Sequence, residues 1–80
     1  MNIKLLFFGR ARELIKNSII HLDMPDNSSL RELVNIMNDK YPVLNEISII
    51  YSKNNEYMYS LDTIINNGDV IGFIPPISGG

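Results

Sequence analysis

Ser29-Leu30-Arg31-Glu32 is the most restrictive stretch of this sequence, because it dictates where a helix begins. In such a capping box the serine hydroxyl accepts from the third helical amide while the glutamate side chain reaches back to the serine N–H. Leu30, Leu33, Val34, Met37 and Tyr41 then recur on one helical face, and Arg31, Glu32, Asn35, Asn38 and Asp39 occupy the rest. Pro42 closes the helix, since the residue before a proline is pushed out of helical geometry. A single amphipathic helix has one apolar stripe to bury. In a chain of 80 residues whose remaining patterns are β-like, that stripe must lie across one face of one mixed sheet, a two-layer α+β arrangement.

The strands can be located in the same way. Asn2 to Phe8 places Ile3, Leu5 and Phe7 on one face and Lys4, Leu6 and Phe8 on the other, so this strand is apolar on nearly both sides, as suits a central position. Gly9 breaks the run, and Ala11, Leu14 and Ile15 support one or two helical turns. A second strand is expected over Ser18 to Leu22, followed by a turn at Pro25, Asp26 and Asn27. Beyond the helix, β patterns run from Ile47 to Tyr51 and from Glu56 to Tyr59 around a turn at Asn54-Asn55. Thr63 to Asn67 reads as a single helical turn, Asn67-Gly68 as a tight turn, and Val70 to Ile74 as the last strand. The first and last strands are the most apolar, which predicts that they pair in parallel at the middle of the sheet. Ile71 and Phe73 are then expected to face the helix, leaving Ile74 with Ile77 and Tyr57 as an exposed apolar patch for a partner.

Composition narrows the function. With no cysteine and one histidine, the chain has no disulfide, no thiolate zinc site, no cysteine nucleophile and no two-histidine metal site. A formal charge of −2 argues against a nucleic-acid partner, which calls for a basic patch. No apolar stretch approaches a membrane span and no signal-peptide pattern opens the chain, so a cytoplasmic protein is expected. A domain this small has too little bulk to enclose a substrate pocket of roughly 300–1,000 Å³. Its chemistry must lie on the surface or at a chain end. His21 reads as a partly exposed sheet residue without a functional role, and Arg10, Arg12 and Glu13 read as the solvated face of a short helix.

The chain end is the informative segment: Phe73-Ile74-Pro75-Pro76-Ile77-Ser78-Gly79-Gly80. A chance terminal Gly-Gly occurs in about 1 sequence in 200 at ordinary glycine usage. The two prolines end strand pairing, because neither has an amide hydrogen, and they stiffen the exit of the chain. Extended, Ile74 to Gly80 would reach about 23 Å. Glycines at the tip let both backbone edges enter a slot too narrow for any side chain. The reactive group on offer is the terminal carboxylate. It is ionised at neutral pH, with a pKa of about 3.5, and needs conversion to an acyl-adenylate before a sulfur or nitrogen nucleophile can displace a leaving group.

Several motifs, in order and spacing, carry a family resemblance over the whole chain. Leu6-Phe7-Phe8-Gly9-Arg10-Ala11-Arg12-Glu13-Leu14, Ser29-Leu30-Arg31-Glu32-Leu33 with Lys40-Tyr41-Pro42, Asn54 to Tyr57, and Asn67-Gly68-Asp69-Val70 with Phe73 to Gly80 resemble the small subunits of molybdopterin synthase, sulfur-carrier proteins of the ubiquitin-like β-grasp family. The resemblance implies a β-grasp fold, one mixed sheet against one main helix with a flexible tail, and a single domain over residues 1–80 with 75–80 as that tail. It implies that Gly80 is adenylated by an ATP-dependent activating enzyme, converted to a thiocarboxylate by a persulfide sulfur donor, and inserted into the large synthase subunit. There its sulfur attacks cyclic pyranopterin monophosphate in a heterotetramer. It also implies that this chain binds no cofactor or metal and that catalysis resides in the large subunit.

On this reading Gly80 carries the chemistry, Gly79, Ser78, Ile77, Pro76 and Pro75 form the tail, and Ile74 with Tyr57 contacts the partner. Two departures from the family pattern stand out, Lys53 in place of an apolar residue and Asn66-Asn67 before Gly68; both are expected in loops or at an edge. Gly72 interrupts the last strand, as if another backbone approached closely. The alternatives are a sulfur carrier for the thiazole of thiamine, a protein modifier joined to lysines through Gly80, and an interaction module that does not need Gly79 and Gly80.

Overall fold

A computed structural model describes residues 1–76. The elements are β1 (Asn2–Phe7), α1 (Gly9–Ile15), β2 (Ile19–Asp23), α2 (Leu30–Lys40), a 3₁₀ helix (Pro42–Glu46), β3 (Ile50–Lys53), β4 (Glu56–Met58) and β5 (Val70–Ile74). The strands form one sheet in the order β2-β1-β5-β3-β4, with β1 and β5 parallel and every other pair antiparallel. The two most apolar strands therefore occupy the interior, as their composition requires. This is the mixed sheet and single main helix of a β-grasp domain. No helix among the described residues is long and apolar enough to cross a membrane.

One sheet face supplies the core. Ile3, Leu5 and Phe7 of β1 and Ile71 and Phe73 of β5 are all buried, together with Leu30, Leu33 and Met37 of α2. Phe73 sits between two rings, with centroids 4.8 Å from Phe7 and 5.1 Å from Tyr51 in an edge-on arrangement, separations at which aromatic pairs add to simple burial. Burial raises the Tyr51 phenol above its usual 10.0, which keeps it neutral against the core. A phenol raised in this way supports folding fully below about pH 10, and that support is lost as alkaline pH climbs through the folded-state value.

The helix begins where Ser29 dictates. Ser29 Oγ accepts from the Glu32 amide at 3.2 Å, and the Glu32 carboxylate accepts from the Ser29 amide at 3.3 Å, closing the capping box. Two amides of its first turn lack intrahelical acceptors, and a distant segment meets them: Leu30 donates to the Thr63 carbonyl at 2.9 Å and Arg31 to the Leu61 carbonyl at 2.8 Å. That demand corrects the expected helical turn over Thr63 to Asn67. The segment forms no helical turn: Ile64 makes an isolated bridge with Ser29, and Asn67 enters a turn with Gly68.

Two further differences have local causes. Ile47 and Ile49 precede β3 rather than lying in it, because the 3₁₀ helix takes up the connection after Pro42; both still pack on the core. Lys53 is not in a loop or at an edge: it lies within β3 between β5 and β4. Its ammonium donates to the Ile64 carbonyl at 3.1 Å and lies 3.8 Å from the Asp69 carboxylate. The adjoining Asn54-Asn55 turn has positive φ at both residues, 50° and 72°, as a type I′ hairpin demands. Asn54 also clamps the start of β5, donating to Asp69 and accepting from the Val70 amide, each at 2.9 Å.

Gly72 is buried in the middle of β5, where a side chain, not a backbone, takes the space of its missing Cβ. An added Cβ would overlap the Ser52 hydroxyl and stand 3.5 Å from both Phe8 and Ile74. Gly72→Ala is expected to drive Ser52 from its rotamer and cost about 1 kcal/mol. Gly72→Val, which overpacks Phe8 and Ile74 as well, should cost about 1–3 kcal/mol. Urea melts of Gly72→Ala in wild-type and Ser52→Ala backgrounds check this: the alanine penalty should shrink once the hydroxyl is gone, and an undiminished penalty would refute the contact.

Candidate functional site

The tail leaves the sheet at its centre. Phe7 pairs with Phe73 at the end of the parallel β1–β5 ladder, where the Phe8 amide donates to the Phe73 carbonyl at 3.1 Å, and Ile74 still pairs with Ile50 of β3 immediately before the prolines. Pro75 and Pro76 have no amide to continue it. Two open grooves flank this exit. One, of about 470 Å³, is lined by Phe8, Gly9, Arg10, Ile74, Pro75 and Pro76; the other, of about 260 Å³, by Arg10, Ile47, Ser48, Pro75 and Pro76. The volume of the first falls within the range of ligand pockets, but the groove is a surface feature that a second molecule would have to cover. Gly9, with φ at 50°, makes the sharp turn from β1 into α1 that sets Phe8 and Arg10 beside the prolines.

The uncovered sheet face adjoins the exit. Register places Ile19, Leu6, Gly72, Ser52 and Tyr57 in one row across all five strands, with Ile74 opposite Ile50 beside it. Because Gly72 has no side chain, the row dips into a depression of about 260 Å³ walled by Leu6, Phe8, Ser52, Asn55, Tyr57, Val70 and Ile74. Phe8 remains 44% exposed and Tyr57 58% exposed, whereas the opposite face of the same strands is sealed by α2. The walls carry no carboxylate, imidazole or amine, so this surface offers apolar contact with a few neutral hydrogen-bonding groups and no general acid or base.

Of the residues singled out from sequence, Ile74 and Tyr57 are brought together on this depression, Ile74 half-buried and Tyr57 exposed. Pro75 and Pro76 mark the exit. Ile77, Ser78, Gly79 and Gly80 lie outside the described residues. Leu6, Phe8 and Ile50 belong to the same surface and were not singled out as partner contacts. For Leu6 and Phe8 the signal was present in the 2–8 run, whose second face is nearly as apolar as the first although only one face of a two-layer domain can meet the helix; Ile50, in β3, carried no such signal. His21 is exposed on the edge strand β2. Arg12 lines neither groove, in contrast to Arg10. Among the described residues no three metal-ligating side chains cluster.

Comparison with known proteins follows from this geometry. Residues 5–80 match the family described as the ThiS family. A molybdopterin synthase sulfur carrier subunit of Arabidopsis thaliana is 35% identical over 82 residues, an alignment covering 100% of this chain and 84% of that protein. Among solved structures, a putative molybdopterin converting factor subunit 1 from Pyrococcus furiosus is 22% identical with a TM-score of 0.88, covering 96% of this chain and 99% of the other; at that identity the likeness speaks to the fold. A protein-protein complex of subunits 1 and 2 of molybdopterin-converting factor from Helicobacter pylori 26695 contains a chain 27% identical to this one, with a TM-score of 0.74 and all of both chains covered.

Proposed function

The chain belongs to the ThiS family, with molybdopterin synthase sulfur carrier subunits among its homologues, and from that membership we propose that it carries sulfur on Gly80 for molybdopterin synthesis. An activating enzyme uses ATP to convert the Gly80 carboxylate to an acyl-adenylate, releasing pyrophosphate. The outer sulfur of a donor persulfide displaces AMP to form an acyl disulfide, and a second thiol on the donor then cleaves that S–S bond, leaving the thiocarboxylate on Gly80 and a disulfide on the donor. The large synthase subunit then receives the tail, Pro75 to Gly80, and the terminal sulfur attacks cyclic pyranopterin monophosphate. ATP belongs to the activating enzyme, and this chain binds no cofactor of its own. Residues 1–80 act as one carrier unit in the cytoplasm, with Ile74 and Tyr57 at the centre of the partner interface.

The observation that carries this reading is the coincidence of three features at one place: the exit of β5, the two prolines that end its pairing, and the apolar sheet face that no element among the described residues covers. A partner seated on that face is positioned to take up the tail. The Helicobacter pylori relative, solved in a complex of subunits 1 and 2 of molybdopterin-converting factor, supports a large-subunit partner. Intact mass spectrometry of the protein from its native host tests the chemistry. The expected species has one terminal oxygen replaced by sulfur, with fragmentation locating the change at Gly80. Finding only the plain carboxylate in cells that are making the cofactor would overturn the reading, and conjugates to lysines on a denaturing gel would replace it with a protein modifier.

A further inference from the structure

Arg10 stands apart from the other charges of α1. It lines both grooves beside the tail root and is the only charged residue, among those described, that lines either. Among the described residues its ion-pair partner is Glu13, one helical turn away at 4.0 Å, with both side chains well exposed at 64% and 69%. A pair that long and that solvated contributes little, so the guanidinium keeps its planar fork of donors free for another acceptor.

Taking the carrier reading as its basis, we propose that Arg10 is a specificity-determining residue of the tail site. It pairs with a carboxylate of the protein that takes up the tail, presented beside an apolar side chain that fills the Phe8–Ile74–Pro75 groove. Any protein that draws the tail inward must close around Pro75 and Pro76, and because Arg10 lines both flanking grooves, whatever covers the prolines also covers Arg10. A partner without an acceptor there would strip water from a cation and give nothing back, whereas a carboxylate gains a bidentate, charge-assisted contact. The same residue thereby favours one partner and penalises others. The rest of the chain reinforces the choice. With a formal charge of −2 overall, an acidic partner patch is disfavoured over much of the surface and accepted where the cation stands, which fixes its orientation at the tail.

The test uses the full-length chain and the purified large synthase subunit, with calorimetry and stopped-flow association at low and high salt. Arg10→Glu is expected to weaken binding by about tenfold to 100-fold and to abolish most of the salt dependence of association. Arg10→Lys should stay within about fivefold of wild type, because it keeps the charge but not the fork. Arg31→Glu makes the same change in net charge beside Asp62, outside both grooves, in a first helical turn where a carboxylate is tolerated; its binding should remain within about twofold. A second measurement treats the Arg10→Lys complex with a water-soluble carbodiimide. The amine at position 10 should form an amide with an aspartate or glutamate of the large subunit, identifiable by peptide mass. If Arg10→Glu binds like wild type while Ile74→Asp does not bind, the role of Arg10 is refuted and the carrier reading stands. If the wild-type chain does not bind the large subunit, the carrier reading falls and this inference falls with it.

Discussion

Deleting Gly79 and Gly80 is expected to leave thermal stability unchanged and to reduce sulfur transfer to the pterin by on the order of 10³-fold or more, the scale of losing a reacting group. The two halves of this expectation have separate causes. Stability resides in the packed layer of Ile3, Leu5, Phe7, Leu33, Met37, Ile71 and Phe73, none of which belongs to the tail. On the proposed carrier reading, transfer requires the Gly80 carboxylate to reach two active sites in turn, and a chain ending at Ser78 would offer a carboxylate displaced by two residues, about 7 Å of extended backbone, behind a side chain that a narrow slot excludes. Appending one residue after Gly80 should be as damaging, since it converts the reacting carboxylate into an unreactive amide without shortening the tail. The measurements are a thermal melt by circular dichroism and a single-turnover assay with the activating enzyme, sulfur donor and large subunit. Full transfer by the truncated chain would eliminate the carrier mechanism and leave an interaction module.

Ile74→Asp should weaken association with the large subunit by at least about 100-fold while the free chain stays folded. Ile74 is half-buried in the free chain, on the solvent face of β5 opposite Ile50, so the isolated domain loses about 1 kcal/mol. On docking, however, the new carboxylate is covered on a surface formed by Leu6, Phe8 and Tyr57; no cation walls that depression, and Arg10, which shares the neighbouring groove with Ile74, is taken up by the partner's carboxylate in the pairing proposed for it. Burying an unpaired charge costs about 3–5 kcal/mol, and 1.4 kcal/mol is about tenfold in affinity. Tyr57→Ala, which removes apolar area without adding charge, should cost less, about 1–2 kcal/mol. Calorimetric titration alongside a urea melt separates binding from folding. Undiminished binding by Ile74→Asp would move the interface to another face.

The signals that could be read without coordinates are those contained within a few residues. Ser29 and Glu32 satisfy amides only three positions apart, so the start of α2 was legible from Ser29-Leu30-Arg31-Glu32 alone. Alternation within Asn2–Phe7 and the absence of amide hydrogens in Pro75-Pro76 likewise act locally, and the chemistry expected of Gly80 comes from the Pro-Pro-Ile-Ser-Gly-Gly motif alone. Lys53 and Thr63–Asn67 were misjudged for the converse reason. Lys53 is held by Ile64 and Asp69, and the 63–67 segment is held by the Leu30 amide of α2, more than 30 positions earlier, on the Thr63 carbonyl.

Sequence by itself determined one helix, two apolar strands at the sheet's centre, and an exit tail ending in Gly-Gly. Only the tertiary structure decided that Leu6, Phe8, Ile50, Tyr57 and Ile74 share one uncovered surface, that Gly72 leaves room for Ser52, and that Arg10 but not Arg12 stands at the tail root. Each of those facts depends on which strand lies beside which, as Phe7 lies beside Phe73. Local rules state which way a side chain alternates along its own strand; only the long-range pairing states what it meets there, and which of the two sheet faces the single helix leaves open.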